Sequence, residues 1–352
     1  MSSSSESLAE EERDQVRRQR VFRPRAIVND PGMFRERFRL TPRQADVLLG
    51  VLGPGLEPST KRSNPLSARE KLLCALRFFA SNGLFYSIGD AEGVCFMFSY
   101  RALCDFPYQY QACGSDQMAG GSRKLSPNRL SIFPTCKTGN ACCLWRRRWN
   151  ADFTRTLSKG TRGSIRRSLP QHSINAMAVA GPDYRFHFLS AKWPGSVNDA
   201  RVLRNSAMAA RFEQGWRPFP NAVLLGDSIY GASDWLVPMR LHAAQEFERF
   251  YKCHSKTRRI VECAFGVWKN RFRCLKSGLR LKNPTYCCEV IKACGYLHNF
   301  ILQERTVEED EDFMDEPANE VEEDGEIQED NPNGQDRFRE LFNSFCAANG
   351  ML

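Results

Sequence analysis

The chain has 352 residues, 42% of them hydrophobic, enough for one large domain and a small one. No apolar run approaches membrane-spanning length, and the Met1-Ser-Ser-Ser-Ser-Glu start lacks the basic-then-apolar layout of a signal peptide. A membrane or secreted protein is therefore not expected, and the fourteen cysteines read as reduced thiols of a nuclear and also cytoplasmic protein.

The net charge of +9 conceals a division. Val307 to Asp330 holds fourteen acids and no Lys or Arg, which leaves 27 acidic against 50 basic residues, a net +23, on the rest. A body that basic expects a polyanion, and DNA is the first candidate. The acidic run is too polar to pack and is expected to be disordered, shielding the basic body from non-specific DNA.

In chain order, residues 1–20 are polar and expected to be disordered, and a helical unit follows over residues 21–94. Helices are predicted from Arg35 to about Leu52 and from Ser67 to Ala80. The second has Ser67 as N-cap with Glu70 three residues on, the capping-box spacing, then an apolar stripe of Leu72, Leu73, Leu76, Phe79 and Ala80. Ser87-Ile88-Gly89-Asp90 and Gly93-Val94 follow like the turn of a helix-turn-helix. A helical brace packed on the following domain reads the same residues equally well.

Residues 95–148 lose all periodicity. They carry six of the cysteines, Gly120-Gly121 and most of a Trp145-Arg-Arg-Arg-Trp149 cluster. A shifted reading frame or mispredicted exon and a divergent, mobile insertion are both open for this stretch.

A second domain is expected over residues 149–302. Ser173–Ala180 and Tyr184–Ala191 read as strands joined at Gly181-Pro182-Asp183. A helix is expected over Asp199–Phe212, a strand over Ala222–Gly226, and helices over Ile260–Leu275 and Thr285–Leu302. Residues 303–352 form the acidic tail, with Phe338, Leu341, Phe342 and Phe345 at the spacing of a short amphipathic helix. Strand, hairpin, helix, strand, helix is the order of a ribonuclease-H-like α/β fold, a mixed sheet with flanking helices.

Three acids stand out by setting. Asp227 ends the apolar run Ala222–Gly226, Glu262 opens a helical apolar pattern, and Asp199 sits in a Gly-Ser-Val-Asn-Asp helix entry. After Glu262 come Gly266, read as a close-approach glycine, then Lys269 and Arg273, all at intervals that share its face. A carboxylate at a strand end facing one from a helix suits a hard divalent cation, Mg²⁺ or Mn²⁺, and with it phosphodiester chemistry. Lys269, Arg271 and Arg273 are candidates for phosphate contacts. Asn175 and Lys192 read as supporting residues, and Trp193-Pro194 as the hold on the turn that aims Asp199. Cys287, Cys288, Cys294 and His298 have zinc-ligand chemistry, but their apolar helical setting favours core packing. His172 and His298 are candidates for proton transfer, with a structural role favoured for both.

The words W-P-G-S-x-x-D, L-L-G-D-S-x-Y, V-E-x-A-F-G-x-W-K-x-R-F-R-C-L and C-x-Y-L-H-N, in this order between His172 and Asn299, closely resemble the DDE nuclease domain of PIF/Harbinger transposases. The resemblance implies a ribonuclease-H-like fold, a helix-turn-helix-like N-terminal domain and a two-metal DNA endonuclease. It also implies a Myb/SANT-like DNA-binding partner; a homo-oligomer is left open. The catalytic set would be Asp152, Asp227 and Glu262, with Asp199 as a further metal ligand. Asp152 is the least secure member: the family's first acid lies in a D-G-T-H or D-C-T-H word about two dozen residues before H-S-I-N. Asp152 lies twenty residues before His172, with only Thr154 of that word beside it. The competing reading is a DNA- or protein-binding factor that kept the fold and lost the chemistry.

Overall fold

The computed structural model describes residues 30–58, 65–84, 87–88, 141–150, 173–218, 222–240, 244–281, 283–304 and 331–348. Asp152, His172, most of the helix-turn-helix-like turn, the acidic run and residues 1–20 lie outside them.

Three helices come first among the described residues: α1 (Pro31–Phe38), α2 (Pro42–Leu56) and α3 (Ala68–Ser81). The single helix expected from Arg35 to Leu52 is two. Arg39 turns left-handed at φ 65°, and Pro42 forces Thr41 into an extended conformation, from which it caps α2. The capping box of α3 forms as the spacing requires, with Ser67 N–H donating to Glu70 at 2.8 Å and Glu70 N–H to Ser67 Oγ at 3.3 Å. Its apolar stripe closes against Phe34, Phe38, Leu48, Leu52 and Leu56. Beyond its end, the left-handed Asn82 donates from Nδ2 to Ser277 Oγ at 2.9 Å and to the Gly278 carbonyl at 2.7 Å. The helical unit thus braces the following domain.

That domain is built on a five-stranded sheet of order β3-β2-β1-β4-β5. The strands are β1 (Ala141–Asn150), β2 (Ser173–Ala180), β3 (Phe186–Pro194), β4 (Val223–Gly226) and β5 (Leu236–Pro238). β1–β2 and β2–β3 are antiparallel, while β1–β4 and β4–β5 are parallel. The central strand begins at Ala141, so a domain start near Trp149 would cut it; its pairing on both sides comes from residues far along the chain.

Alternation along the strands sorts the core onto two faces. Ile174, Ala176, Ala178, Val223, Leu225 and Val237 meet α6 (Glu248–Arg271) and α8 (Pro284–Gln303) through Val261, Phe265, Trp268, Ile291 and Leu297. On the other face Met177, Val179, Leu224 and Leu236 pack on α4 (Asp199–Arg204) and α5 (Ala207–Glu213). These two short helices replace the single one expected over Asp199–Phe212. Ser206 starts α5 afresh by accepting the Ala209 N–H at 3.1 Å.

Helix α6 stops at Phe272, whose backbone is extended, and the one-turn α7 (Arg273–Lys276) follows. The last helix, α9 (Pro332–Ala348), docks Phe338, Phe342 and Phe345 around Phe250.

Candidate active site

Asp227 follows β4 directly and is half-buried at the strand's C-terminal end. Its Oδ1 accepts the Ser228 N–H at 2.7 Å, and Arg240 Nη1 donates to the Ser228 and Tyr230 carbonyls at 3.4 and 3.2 Å, fixing the loop that carries it. Helix α6 carries His254, Arg258 and Glu262 at i, i+4 and i+8, a single helical face. His254 is buried and bonded to the Val237 carbonyl on β5 at 2.9 Å, so Nε2 carries the proton. Burial pushes its pKa down to about 4, with the Val237 bond opposing, Arg258 lowering and Asp227 raising it. Val237 pairs with Leu225, two residues before Asp227, so this bond ties the His254 turn of α6 to the end of the sheet that carries Asp227. Arg258 Nη2 lies 3.4 Å from Glu262 Oε1, and the Glu262 side chain is 27% exposed.

The structure thus sets Asp227 at the end of β4 and Glu262 two turns along α6 from His254, the residue that bonds β5. Sequence reasoning missed His254 and Arg258, which their spacing of four and four ahead of Glu262 could have signalled. Asp199 belongs elsewhere. It is 4% exposed in the first turn of α4, and its Oδ1 accepts from Asn175 Nδ2 at 3.1 Å. Asn175 also bonds the Val197 carbonyl at 3.2 Å. The expected metal ligand is a structural tie between β2 and α4, and Asn175 supports that tie. Gly195 makes the turn before it: a Cβ there would lie 1.8 Å from Ser173 Oγ.

The expected cationic face also changes. Arg271 is 1% exposed and its Nη1 donates to His298 Nδ1 at 3.1 Å, so it is interior and does not reach a phosphate. Lys269 is buried as well, and a Cβ on Gly266 would meet nothing, so that glycine marks no close approach. Arg273 is exposed, but the break at Phe272 sets it on α7, off the Glu262 face. His298 is wholly buried, its Nε2 donating to the Tyr184 carbonyl at 2.9 Å, which assigns it to structure. Cys287 and Cys294 are core residues, and burial lifts the Cys287 thiol to about 12, far from a zinc-binding thiolate.

The chemistry of Asp227 and Glu262 fits a hard divalent cation, since both offer carboxylate oxygens. Their number is short. Among the described residues no group of three or more His, Cys, Asp or Glu is placed to hold a metal ion. The sheet shows where a neighbour on the central strand would stand. Cys143 pairs with Leu225 in the parallel ladder, so Trp145 is level with Asp227, and Ala141–Asn150 contains no acid.

Residues 166–299 match the DDE superfamily endonuclease family, whose domain implies a ribonuclease-H-like fold. "Putative nuclease HARBI1" of Mus musculus is 29% identical over 265 residues, 72% of this chain and 73% of that protein. The Homo sapiens protein of the same name is 28% identical over 266 residues, 73% of each chain. "Protein ALP1-like" of Arabidopsis thaliana is 30% identical over 158 residues, 41% of this chain and 38% of its own length. No solved structure matches the chain significantly. With a strand-end aspartate and a helix-borne glutamate, the chain is similar to the Harbinger transposase-derived nucleases over nearly three quarters of its length, and its residues 166–299 match the DDE superfamily endonuclease family.

Proposed function

We propose that this domain is a divalent-metal-dependent DNA endonuclease that hydrolyses phosphodiester bonds by a two-metal mechanism. The observation that carries the reading is Asp227 at the end of β4, next in the sheet to β5, whose Val237 carbonyl is bonded by His254 of the helix that bears Glu262. Asp227 and Glu262 would hold Mg²⁺ or Mn²⁺, with Asp152 as the third carboxylate. The bound metal would supply an activated water and charge stabilisation at the leaving oxygen. Arg258 keeps the Glu262 carboxylate oriented, and the buried neutral His254 excludes water behind Asp227 without adding charge. Arg273, exposed on α7, takes a DNA phosphate. On this reading the protein acts in the nucleus, with a Myb/SANT-like protein as the partner that selects the site.

One observation favours a second reading, a DNA-binding factor that no longer cuts: the central strand has Trp145 level with Asp227 and no acid along its length. Incubation of supercoiled plasmid with Mn²⁺ separates the two. Nicking by the wild-type chain, lost in Asp227→Asn and Glu262→Gln, is the expected result. Plasmid that is shifted in a gel but never nicked would establish the second reading instead.

A further inference from the structure

The end of α5 builds a feature that the cleavage chemistry does not use. Gly215, at φ 86°, follows the helix in the left-handed conformation, its N–H bonded to the Phe212 carbonyl at 3.0 Å. The Trp216 N–H then returns to the Arg211 carbonyl, also at 3.0 Å. These two bonds are the Schellman pattern, which places the residue after the glycine back over the last helical turn. Trp216 consequently lies under the Arg211 guanidinium, 4.1 Å from its ring centroid, and edge-on to Phe212 at 5.4 Å. The indole is nevertheless 40% exposed, and it is the one aromatic among the exposed large hydrophobic side chains of the described residues.

The feature is tied down by Arg217. Arg217 Nη1 donates to the Phe212 and Trp216 carbonyls at 2.6 and 2.8 Å, and its Nη2 to Asp234 at 2.6 Å. Asp234 stands just before β5, level with Ala222 at the start of β4, the end of that strand away from Asp227. The outer faces of α4 and α5 add Arg201 and Arg204, both exposed. An exposed π-surface fixed beside cations is the combination that binds unpaired nucleotides, because bases stack on the ring while guanidinium groups meet the backbone. A duplex keeps its bases stacked inside and gives such a ring nothing to receive.

We propose that Trp216 and Arg211 form a stacking platform for an unpaired DNA strand at the end of α5. The choice of DNA over RNA rests on the nuclease reading; the platform itself does not. A fluorescently labelled oligothymidylate, titrated with the full chain in EDTA and followed by anisotropy, tests it without any cleavage. Trp216→Leu keeps apolar packing on Phe212 but has no π-face, whereas Trp216→Phe keeps one. The Leu variant should bind about five- to a hundredfold more weakly and the Phe variant within about threefold of wild type. Neither should change affinity for a duplex of the same length. Arg211→Gln should lower the slope of log K against log salt by about 0.7 on the single strand. Equal affinity of the Leu and Phe variants for oligothymidylate, or an equal loss on the duplex, overturns the proposal. A chain that never nicks plasmid but shows this Trp216 dependence would leave the platform standing and remove only the nuclease reading.

Discussion

Asn299 offers a sharp test of how the hairpin is held. Its Oδ1 accepts the Phe186 N–H at 2.8 Å and its Nδ2 donates to the Phe186 carbonyl at 2.7 Å. One amide side chain from α8 thus satisfies both main-chain groups of the first residue of edge strand β3. Asn299→Ala removes both partners at once and leaves a donor and an acceptor beside the buried Phe186 ring. A buried unsatisfied group costs about 1–3 kcal/mol, and the half-exposed setting admits some water, so the net loss should be about 2 kcal/mol. For a domain of this size that is a fall in Tm of about 4–8 °C. Asn299→Asp should fall at least as far, since its carboxylate would face the Phe186 carbonyl. Differential scanning calorimetry reads both. An Asn299→Ala chain melting within about 1 °C of wild type would refute the reasoning, and with it the structural assignment of the Leu-His-Asn word.

His254 makes stability depend on pH. Its folded pKa of about 4 lies below the ordinary 6.5, so the unfolded chain takes up a proton that the folded chain refuses. The contribution is intact above pH 6.5 and is lost progressively as pH falls to about 4. At about 1.4 kcal/mol per unit it amounts to roughly 3 kcal/mol, and urea titrations of His254→Gln should show that much less slope across this window. Gly334 sits where a Cβ would lie 2.4 Å from the Ala232 backbone, so Gly334→Ala should loosen α9. Limited proteolysis should then clip the C-terminal helix faster while the rest of the chain resists as before. Arg273→Ala should reduce the salt slope of duplex binding by about one without lowering Tm; Arg271→Leu should lower Tm and leave that slope unchanged. The reverse pattern would mean that the burial of Arg271 has been misassigned.

Much of the site was legible because its signals are local. A continuous apolar run ending in Asp227 made a buried strand with a carboxylate at its end, and the apolar period around Glu262 made its helix. Ser67 and Glu70 announced a helix start that formed as expected. What could not be read depended on distant partners. Arg271, in a basic helix end, looks like a surface cation, and only His298, on another helix, explains its burial. Asp199 looks like a ligand until Asn175 on β2 claims it. β1 shows no apolar alternation at Trp145-Arg-Arg-Arg-Trp149; its strand character comes from β2 and β4 pairing on either side. The break between α4 and α5 was visible in Asn205-Ser206, a stop followed by a cap, and was overlooked because the apolar period runs through it.

On the proposed reading Asp227 and Glu262 together hold a divalent cation. Calorimetric titration of Mn²⁺ into the wild-type chain, Asp227→Asn and Glu262→Gln measures this directly, with melting curves of each to show that the fold is kept. Saturable binding by the wild-type chain that is weakened at least about tenfold in both variants is the predicted result. Equal heats from all three folded chains would contradict it.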